Sequence, residues 1–168
     1  MRYSQIIPFD VCNGKGIGLS LFVQGCKFHC KGCFNSETWN FDGGKEWNEE
    51  IKNKFFELIN RPYIKRVSIL GGEPLADENI SEIYNLISEI KERFPDKDIW
   101  LYSGYTLEEI QEWKAGMCVL EYVDVLVDGP YIEEQRDISL HWRGSKNQRI
   151  IDVKETLKQG RVITIQND

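Results

Sequence analysis

The chain has 168 residues, a formal net charge of −6, 41% hydrophobic residues and 29% charged residues. These values predict one ordinary globular domain over residues 1–168. The acidic balance argues against a nucleic-acid-binding protein, which normally presents a basic surface. No apolar run approaches the ~20 residues that a membrane-spanning helix needs. The N-terminus also lacks the apolar core of a secretory signal, so we expect a cytoplasmic protein that does not bind membranes.

Apolar and polar segments alternate along the first half of the chain. A β-branched, apolar run at 20–25 predicts a strand that leads directly into three cysteines. Residues 46–60 repeat apolar side chains at spacings of three and four, which predicts an amphipathic helix that ends before a proline. A short apolar run at 66–70, closed by two glycines, predicts a buried strand.

The same alternation continues in the second half. Isoleucine and leucine side chains at helical spacing predict a helix over 77–94, with Asp77 as its N-cap. The run at 98–103 predicts a strand, and Thr106 is placed to cap a further helix. Another apolar run at 122–129 predicts a strand that ends in glycine.

Repeated strand-helix order favours an α/β fold with a mostly parallel sheet and outer helices. The stretch 134–150 shows no periodicity and predicts an ordered loop, and 161–166 predicts a last strand at a sheet edge. Four of the predicted strands run into distinctive polar or glycine-rich segments. In parallel α/β folds, sites form at the carboxyl ends of strands. We therefore expect these four segments to converge: QGC at 24–26, GGEP at 71–74, SGY at 103–105 and VDGPY at 127–131.

Three of the five cysteines, Cys26, Cys30 and Cys33, form a C-x3-C-x2-C segment. Intracellular thiols are kept reduced, so these are available as metal ligands. Structural zinc needs four protein ligands, for which His29 and Cys12 are the candidates for the fourth. Three thiolates without an obvious fourth ligand suit an iron–sulfur cluster with one iron open to a substrate. The spacing favours the cluster over zinc, with unreactive thiols as a third alternative.

The segment Gly71-Gly72-Glu73 has a physical interpretation of its own. Two glycines after a buried strand let a ligand approach the backbone closely. A carboxylate at this position can pair with an ammonium group through charge-assisted hydrogen bonds. The alternative is a tight turn with a solvated glutamate.

A longer series of motifs extends over nearly the whole chain. It comprises NGKGxG at 13–18, FVQGC at 22–26, CKGCFN at 30–35, GGEPL at 71–75, YSGYT at 102–106, VDVLVDGPY at 123–131 and RGSKNQRIID at 143–152. Together these motifs closely resemble the activating enzymes of anaerobic (class III) ribonucleotide reductase, members of the radical S-adenosylmethionine superfamily. The resemblance implies a partial, open (β/α) barrel that activates a glycyl-radical enzyme.

The resemblance also implies roles for individual residues. Cys26, Cys30 and Cys33 would hold a 4Fe-4S cluster whose fourth iron binds S-adenosylmethionine, and Gly71, Gly72 and Glu73 would bind the methionine amino group. The adenine would pack beside Cys33, at Gly32 and Phe34. Ser103 would contact the methionine or ribose part, and Asp128 would bind ribose or order its loop. For Ser103 and Asp128, the alternative is that each satisfies turn amides.

The partners implied by the resemblance are the large subunit of anaerobic ribonucleotide reductase and a flavodoxin or ferredoxin as electron donor. The segment Arg143–Arg149 would contribute a docking surface, with a solvated loop as the alternative. Two other enzymatic functions stay open, namely activation of another glycyl-radical enzyme and radical chemistry on a small molecule. A non-catalytic, zinc-stabilised interaction module is the alternative from another class. Cys118 is expected to be a small buried residue.

Overall fold

A computed structural model describes residues 1–166 of the chain. Its strands are β1 (Arg2–Asp10), β2 (Gly18–Val23), β3 (Lys45–Glu46), β4 (Arg66–Gly71), β5 (Asp98–Tyr102), β6 (Val125–Asp128) and β7 (Arg149–Asp152). Its α-helices are α1 (Glu49–Ile59), α2 (Ile80–Arg93), α3 (Leu107–Gln111), α4 (Lys114–Leu120) and α5 (Val153–Gln159). None of the helices in this part of the chain is both long and apolar enough to cross a bilayer.

All seven strands form one sheet in the order β3-β1-β2-β4-β5-β6-β7. The four central strands, β2, β4, β5 and β6, are parallel to one another. The outer strands β1, β3 and β7 add in antiparallel fashion. The sheet is open, with β3 and β7 at its two edges. This arrangement confirms the predicted α/β class and the partial open barrel, with the parallel part confined to the centre.

The central strands are apolar because both faces of the sheet are covered. On one face, β4 contributes Val67 and Ile69 to a core that also contains Phe55 of α1 and Leu86 of α2. The opposite face carries a smaller cluster built on Trp100, Val125, Val127 and Ile150. Successive residues of a strand point to opposite faces, so Ile99 joins the first core while Trp100 joins the second. The second face is the interior of the half-barrel.

Several sequence predictions of elements are wrong in detail. Residues 161–166 do not form a regular strand, since only Thr164 makes an isolated bridge, to Ile151. The helix predicted from residue 77 begins at Ile80, with Asn79 rather than Asp77 at the N-cap position. The Asn79 side chain instead donates to the carbonyl oxygens of Gln24 and Glu73, at 3.0 Å each. The start of α2 is thereby tied to the carboxyl ends of β2 and β4.

Candidate functional site

One cavity lies at the carboxyl ends of the central strands, with a volume of about 320 Å³. All four strand-end segments singled out in the sequence contribute to its wall, through Cys26, Glu73, Ser103 and Gly129. The expected convergence of these segments is therefore confirmed. A volume of this size falls in the range of small-molecule sites, which are ~300 to 1,000 Å³.

The three clustered cysteines follow β2 and all line this cavity. Burial is the main cause that raises the pKa of Cys26, to about 11, and burial also raises the pKa of Cys30. Thiols in this state are protonated at neutral pH, whereas a metal ligand is the thiolate. A bound metal centre would therefore supply the positive charge that deprotonates them.

A backbone amide donates to the sulfur of Cys33, and nearby backbone amides favour the thiolate forms of Cys26 and Cys30. The amide of Asn35 donates to Cys33 Sγ at 3.4 Å. Amides of residues 28 and 29 favour the thiolate form of Cys26, and the amide of Tyr131 does the same for Cys30. Such N–H···S hydrogen bonds are one of the means by which proteins stabilise iron–sulfur clusters and set their potentials. The cysteine loop thus has the donor set that a cluster of thiolate-bound iron requires.

The loop reaches this shape through close packing. Gly25 has a φ of +99°, and a Cβ there would lie 2.1 Å from the ring of Phe41. His29 has a φ of +47° and stacks on Trp39, with ring centroids 4.5 Å apart. Within residues 1–166, no three His, Cys, Asp or Glu side chains converge on a point where one metal ion could sit. An iron–sulfur cube needs no such point, because each thiolate binds a different iron atom.

Glu73 is a buried carboxylate in the wall of the cavity, with 3% of its surface exposed. Its Oε1 accepts from the Leu75 amide and the Ser103 hydroxyl, both at 2.9 Å, and its Oε2 accepts from the Gly104 amide at 2.8 Å. Burial raises the pKa of Glu73 to about 7, although these three hydrogen bonds oppose the shift. No lysine or arginine of the described chain contributes to that shift. The site therefore holds a carboxylate without a cationic partner.

The two glycines before Glu73 bring it against the cysteine loop. A Cβ on Gly72 would lie 2.5 Å from the carbonyl oxygen of Gly25, and the Glu73 amide donates to that oxygen at 2.7 Å. Gly71 has a φ of +103°, a conformation that favours glycine. The carboxylate is consequently held beside the residue that precedes Cys26.

Comparison with known proteins agrees with this geometry. Residues 12–151 match the model of a 4Fe-4S single cluster domain. The chain is 44% identical over 152 residues to the anaerobic ribonucleoside-triphosphate reductase-activating protein of Vibrio cholerae, covering 89% of this chain and 97% of the relative. It is 39% identical over 150 residues to the protein of that name from Escherichia coli, covering 88% and 96%. The chain belongs to this family of activating proteins. The match to a 4Fe-4S domain supports the cluster over the zinc alternative.

Other residues predicted for the site fall into two groups in this member of the activating-protein family. Ser103 and Phe34 line the cavity, where the Phe34 ring packs on Tyr131 with centroids 5.1 Å apart. Gly32 and Asp128 are not among the lining residues. A Cβ on Gly32 would lie 1.5 Å from Glu133 Oε2, so that glycine faces the 3-10 turn after β6.

The carboxylate of Asp128 is occupied by protein donors. It is 1% exposed, accepts from the Leu107 amide at 2.8 Å and forms an ion pair with Arg149. Arg149 also pairs with Glu108 at 2.7 Å. Asp128 therefore satisfies the first amide of α3 and orders the start of that helix.

Sequence reasoning missed several residues of the cavity wall, among them Leu70, Tyr102, Leu140 and Trp142. The alternation within β5 points Trp100 and Tyr102 to the same face, and this signal was available in the sequence. Cys12 also lines the cavity, whereas Cys118 lies on α4 and is only partly buried. The glycine-rich turn at 13–16 is predicted from the sequence to lie beside the cysteines, and Asn13 does line the cavity with them.

Proposed function

We propose that this protein is a radical S-adenosylmethionine oxidoreductase that generates the glycyl radical of anaerobic ribonucleotide reductase. The reaction would cleave S-adenosylmethionine reductively and use the 5′-deoxyadenosyl radical to remove a hydrogen atom from a glycine of the reductase. The observation that carries the proposal is one cavity that brings three clustered cysteine thiols together with a buried carboxylate that has no cationic partner. The names of the relatives support the choice of the reductase as partner.

Each of the residues around the cavity would have a distinct task. Cys26, Cys30 and Cys33 would hold the 4Fe-4S cluster, which supplies one electron to the sulfonium of S-adenosylmethionine when both are bound. Glu73 would receive the methionine ammonium group, held in place by Ser103 and the amides of residues 75 and 104. A fixed carboxylate of this kind orients the ligand without reorganisation, which is how a protein contributes to chemistry carried by a cofactor.

The proposed reaction also requires an electron donor and a protein partner. The cluster needs a one-electron donor, for which we propose a flavodoxin or a ferredoxin, and the protein would act in the cytoplasm as a single radical S-adenosylmethionine domain over residues 1–168. The sheet is open between its edge strands β7 and β3, and the glycine carried by the partner protein would enter from that side. The segment Arg143–Arg149 remains a predicted docking surface. Its Lys146 is the exposed cation, 3.6 Å from Asp137.

The decisive experiment is anaerobic reconstitution with iron and sulfide, followed by reduction in the presence of S-adenosylmethionine. We expect about four irons and four sulfides per chain, 5′-deoxyadenosine as a product, and a glycyl doublet in the electron paramagnetic resonance spectrum once the reductase is added. About one zinc and no iron would contradict the proposal. Formation of 5′-deoxyadenosine without a glycyl doublet on the reductase would show that the radical chemistry is right but that the reductase is not its substrate.

The Glu73 carboxylate predicts a pH dependence of ligand binding. Because its pKa is raised to about 7, the group is increasingly protonated and neutral as the pH falls below that value. An ammonium ligand needs the charged form, so the affinity for S-adenosylmethionine should fall about tenfold per pH unit below 7 and level off above it. Equilibrium binding to the reconstituted protein between pH 6 and pH 7.5 measures this.

The substitution Glu73→Gln should remove the pH dependence and weaken binding at pH 7.5 by roughly ten- to a hundredfold, the usual range for loss of a charge-assisted hydrogen bond. Glu78→Gln is the matched control, since Glu78 is exposed and pairs with Lys27 at 3.1 Å. The control should bind like the unmodified protein. An unchanged pH profile in Glu73→Gln would show that another group titrates.

A further inference from the structure

The cavity carries one side chain of each charge. Among its lining residues in the described chain, Glu73 is the single acidic side chain and Arg143 the single lysine or arginine. Glu73 is the proposed site of the ammonium group. Arg143 lies in the long segment between β6 and β7, and no role in ligand binding has been proposed for it.

The guanidinium of Arg143 is anchored but largely unused. Its Nη1 donates to the carbonyl oxygen of Gln148 at 2.9 Å. Among the ion pairs of residues 1–166, none joins Arg143 to a carboxylate within 4.0 Å, whereas Arg149 and Lys146 both have acidic partners. A guanidinium has five N–H donors, so most of its hydrogen-bonding capacity is available. This is the pattern of a cation that is held ready for an anionic ligand.

The surrounding backbone fixes this position. The Gln148 side chain accepts from the amides of Gly144 and Ser145, at 2.9 and 3.2 Å, and donates to the Gly129 carbonyl at 3.0 Å. These bonds join the segment after Arg143 to the turn that follows β6. These hydrogen bonds of Gln148 therefore hold Arg143 in the wall of the cavity instead of leaving it on a free loop.

Backbone strain next to Arg143 supports a functional role. Trp142 has a φ of +59°, a left-handed conformation that is unfavourable for a bulky residue. Its ring packs edge-on against Trp100 of β5, with centroids 5.2 Å apart. On the other side, a Cβ on Gly144 would lie 2.9 Å from the Phe34 ring. The residue before the arginine thus has a strained backbone, and the residue after it is closely packed against the cavity wall.

We propose that Arg143 binds the carboxylate of the methionine moiety of S-adenosylmethionine. This assignment rests on the proposed function and deepens it. The amino-acid end of that ligand is zwitterionic, and the cavity offers one carboxylate and one guanidinium for its two charges. Arginine suits a carboxylate because its planar fork matches the two oxygens and stays charged at every relevant pH.

The test compares two ligands that differ only in the carboxylate, S-adenosylmethionine and its decarboxylated form. Binding of both is measured at equilibrium on reconstituted protein, with Arg143→Met, Arg143→Lys and the control Lys146→Met. We expect Arg143→Met to reduce the preference for the carboxylated ligand by about ten- to a hundredfold and to leave binding of the decarboxylated one within about twofold. Arg143→Lys should retain part of the preference, and Lys146→Met all of it.

The possible failures are distinguishable. If the unmodified protein binds neither ligand, the proposed function is wrong and the Arg143 assignment falls with it. If the unmodified protein binds S-adenosylmethionine but Arg143→Met weakens both ligands equally, or neither, the proposed function stands and the assignment is overturned. Circular dichroism of each variant checks that the fold is retained, and Arg143→Lys provides the comparison if Arg143→Met does not fold.

Discussion

Replacing Cys30 by alanine is expected to abolish both the brown colour of the reconstituted protein and its cleavage of S-adenosylmethionine. Cys30 lines the cavity beside Cys26 and Cys33, and a cube with only three protein ligands is not retained when one of the thiolates is removed. We expect iron content to fall severalfold and 5′-deoxyadenosine to fall below detection. The fold should survive, because Cys30 lies in a loop outside the apolar cores.

Two other cysteines provide matched controls for this experiment. Cys118→Ala removes a partly buried thiol on α4 that does not line the cavity, so colour and cleavage should both persist. Cys12→Ala removes a thiol that does line it, and we expect the cluster to be retained there too. If Cys12→Ala lost iron as completely as Cys30→Ala, the cluster would have four protein ligands and no iron open to a substrate. That result would contradict the proposed mechanism.

The fold was predictable where burial on both faces makes a strand continuously apolar. This holds for β2 and β4, whose residues are almost all buried, and for α2, whose apolar side chains join the same core as those of β4. Prediction from the sequence failed at β1, because RYSQIIPFD has a mixed burial pattern and owes its conformation to pairing with β2 and β3. It also failed at β7, a strand of four residues that pairs with β6. Such pairing joins distant parts of the chain and leaves little trace in the local sequence.

The site was predictable to the extent that strand ends converge. The motif at Glu73 was assigned from glycines, a carboxylate and a preceding strand, and the structure places that carboxylate in the cavity with the cysteines. The sequence does not show which polar side chains are already hydrogen-bonded within the protein and which are free to bind a ligand. The sequence predicts that Asp128 contacts the ligand, yet its carboxylate accepts from the first amide of α3 and pairs with Arg149. The sequence predicts that Arg143 belongs to a basic docking surface, yet in the structure it lines the cavity.

The second large effect concerns stability, and it centres on a buried ion pair below the cavity. Arg66, at the start of β4, is 1% exposed and lies 3.8 Å from the carboxylate of Asp10, which is 4% exposed. Its Nη1 donates to Ser68 Oγ at 2.6 Å, and its Nη2 donates to the Asp10 carbonyl at 2.9 Å. A Cβ on Gly18 would lie 2.4 Å from the Arg66 guanidinium, so the sheet leaves room for this side chain only because glycine stands there.

Asp10 also holds the turn between β1 and β2, which contributes Cys12 and Asn13 to the cavity wall. Its carboxylate accepts from the Cys12 amide at 2.7 Å, from Asn13 Nδ2 at 2.8 Å and from the Ser20 hydroxyl. Burial raises the pKa of Asp10, but these bonds and the charge of Arg66 together lower it below its ordinary value. A carboxyl with a lowered pKa stabilises the fold above its unfolded pKa of ~3.9, and this contribution is lost as the pH falls.

We expect Arg66→Met to lower the free energy of unfolding by about 3 to 5 kcal/mol at pH 7, because it leaves the Asp10 carboxylate buried without a countercharge. Urea unfolding followed by circular dichroism measures the loss. The double variant Arg66→Met with Asp10→Asn should lose less than Arg66→Met alone, since removing both charges restores neutrality. Lys54→Met, which breaks an exposed pair with Glu50, should change stability by less than about 1 kcal/mol. A double variant as unstable as the sum of its parts would show that the two charges do not stabilise each other, and the turn carrying Cys12 and Asn13 would then depend on Asp10 hydrogen bonds alone.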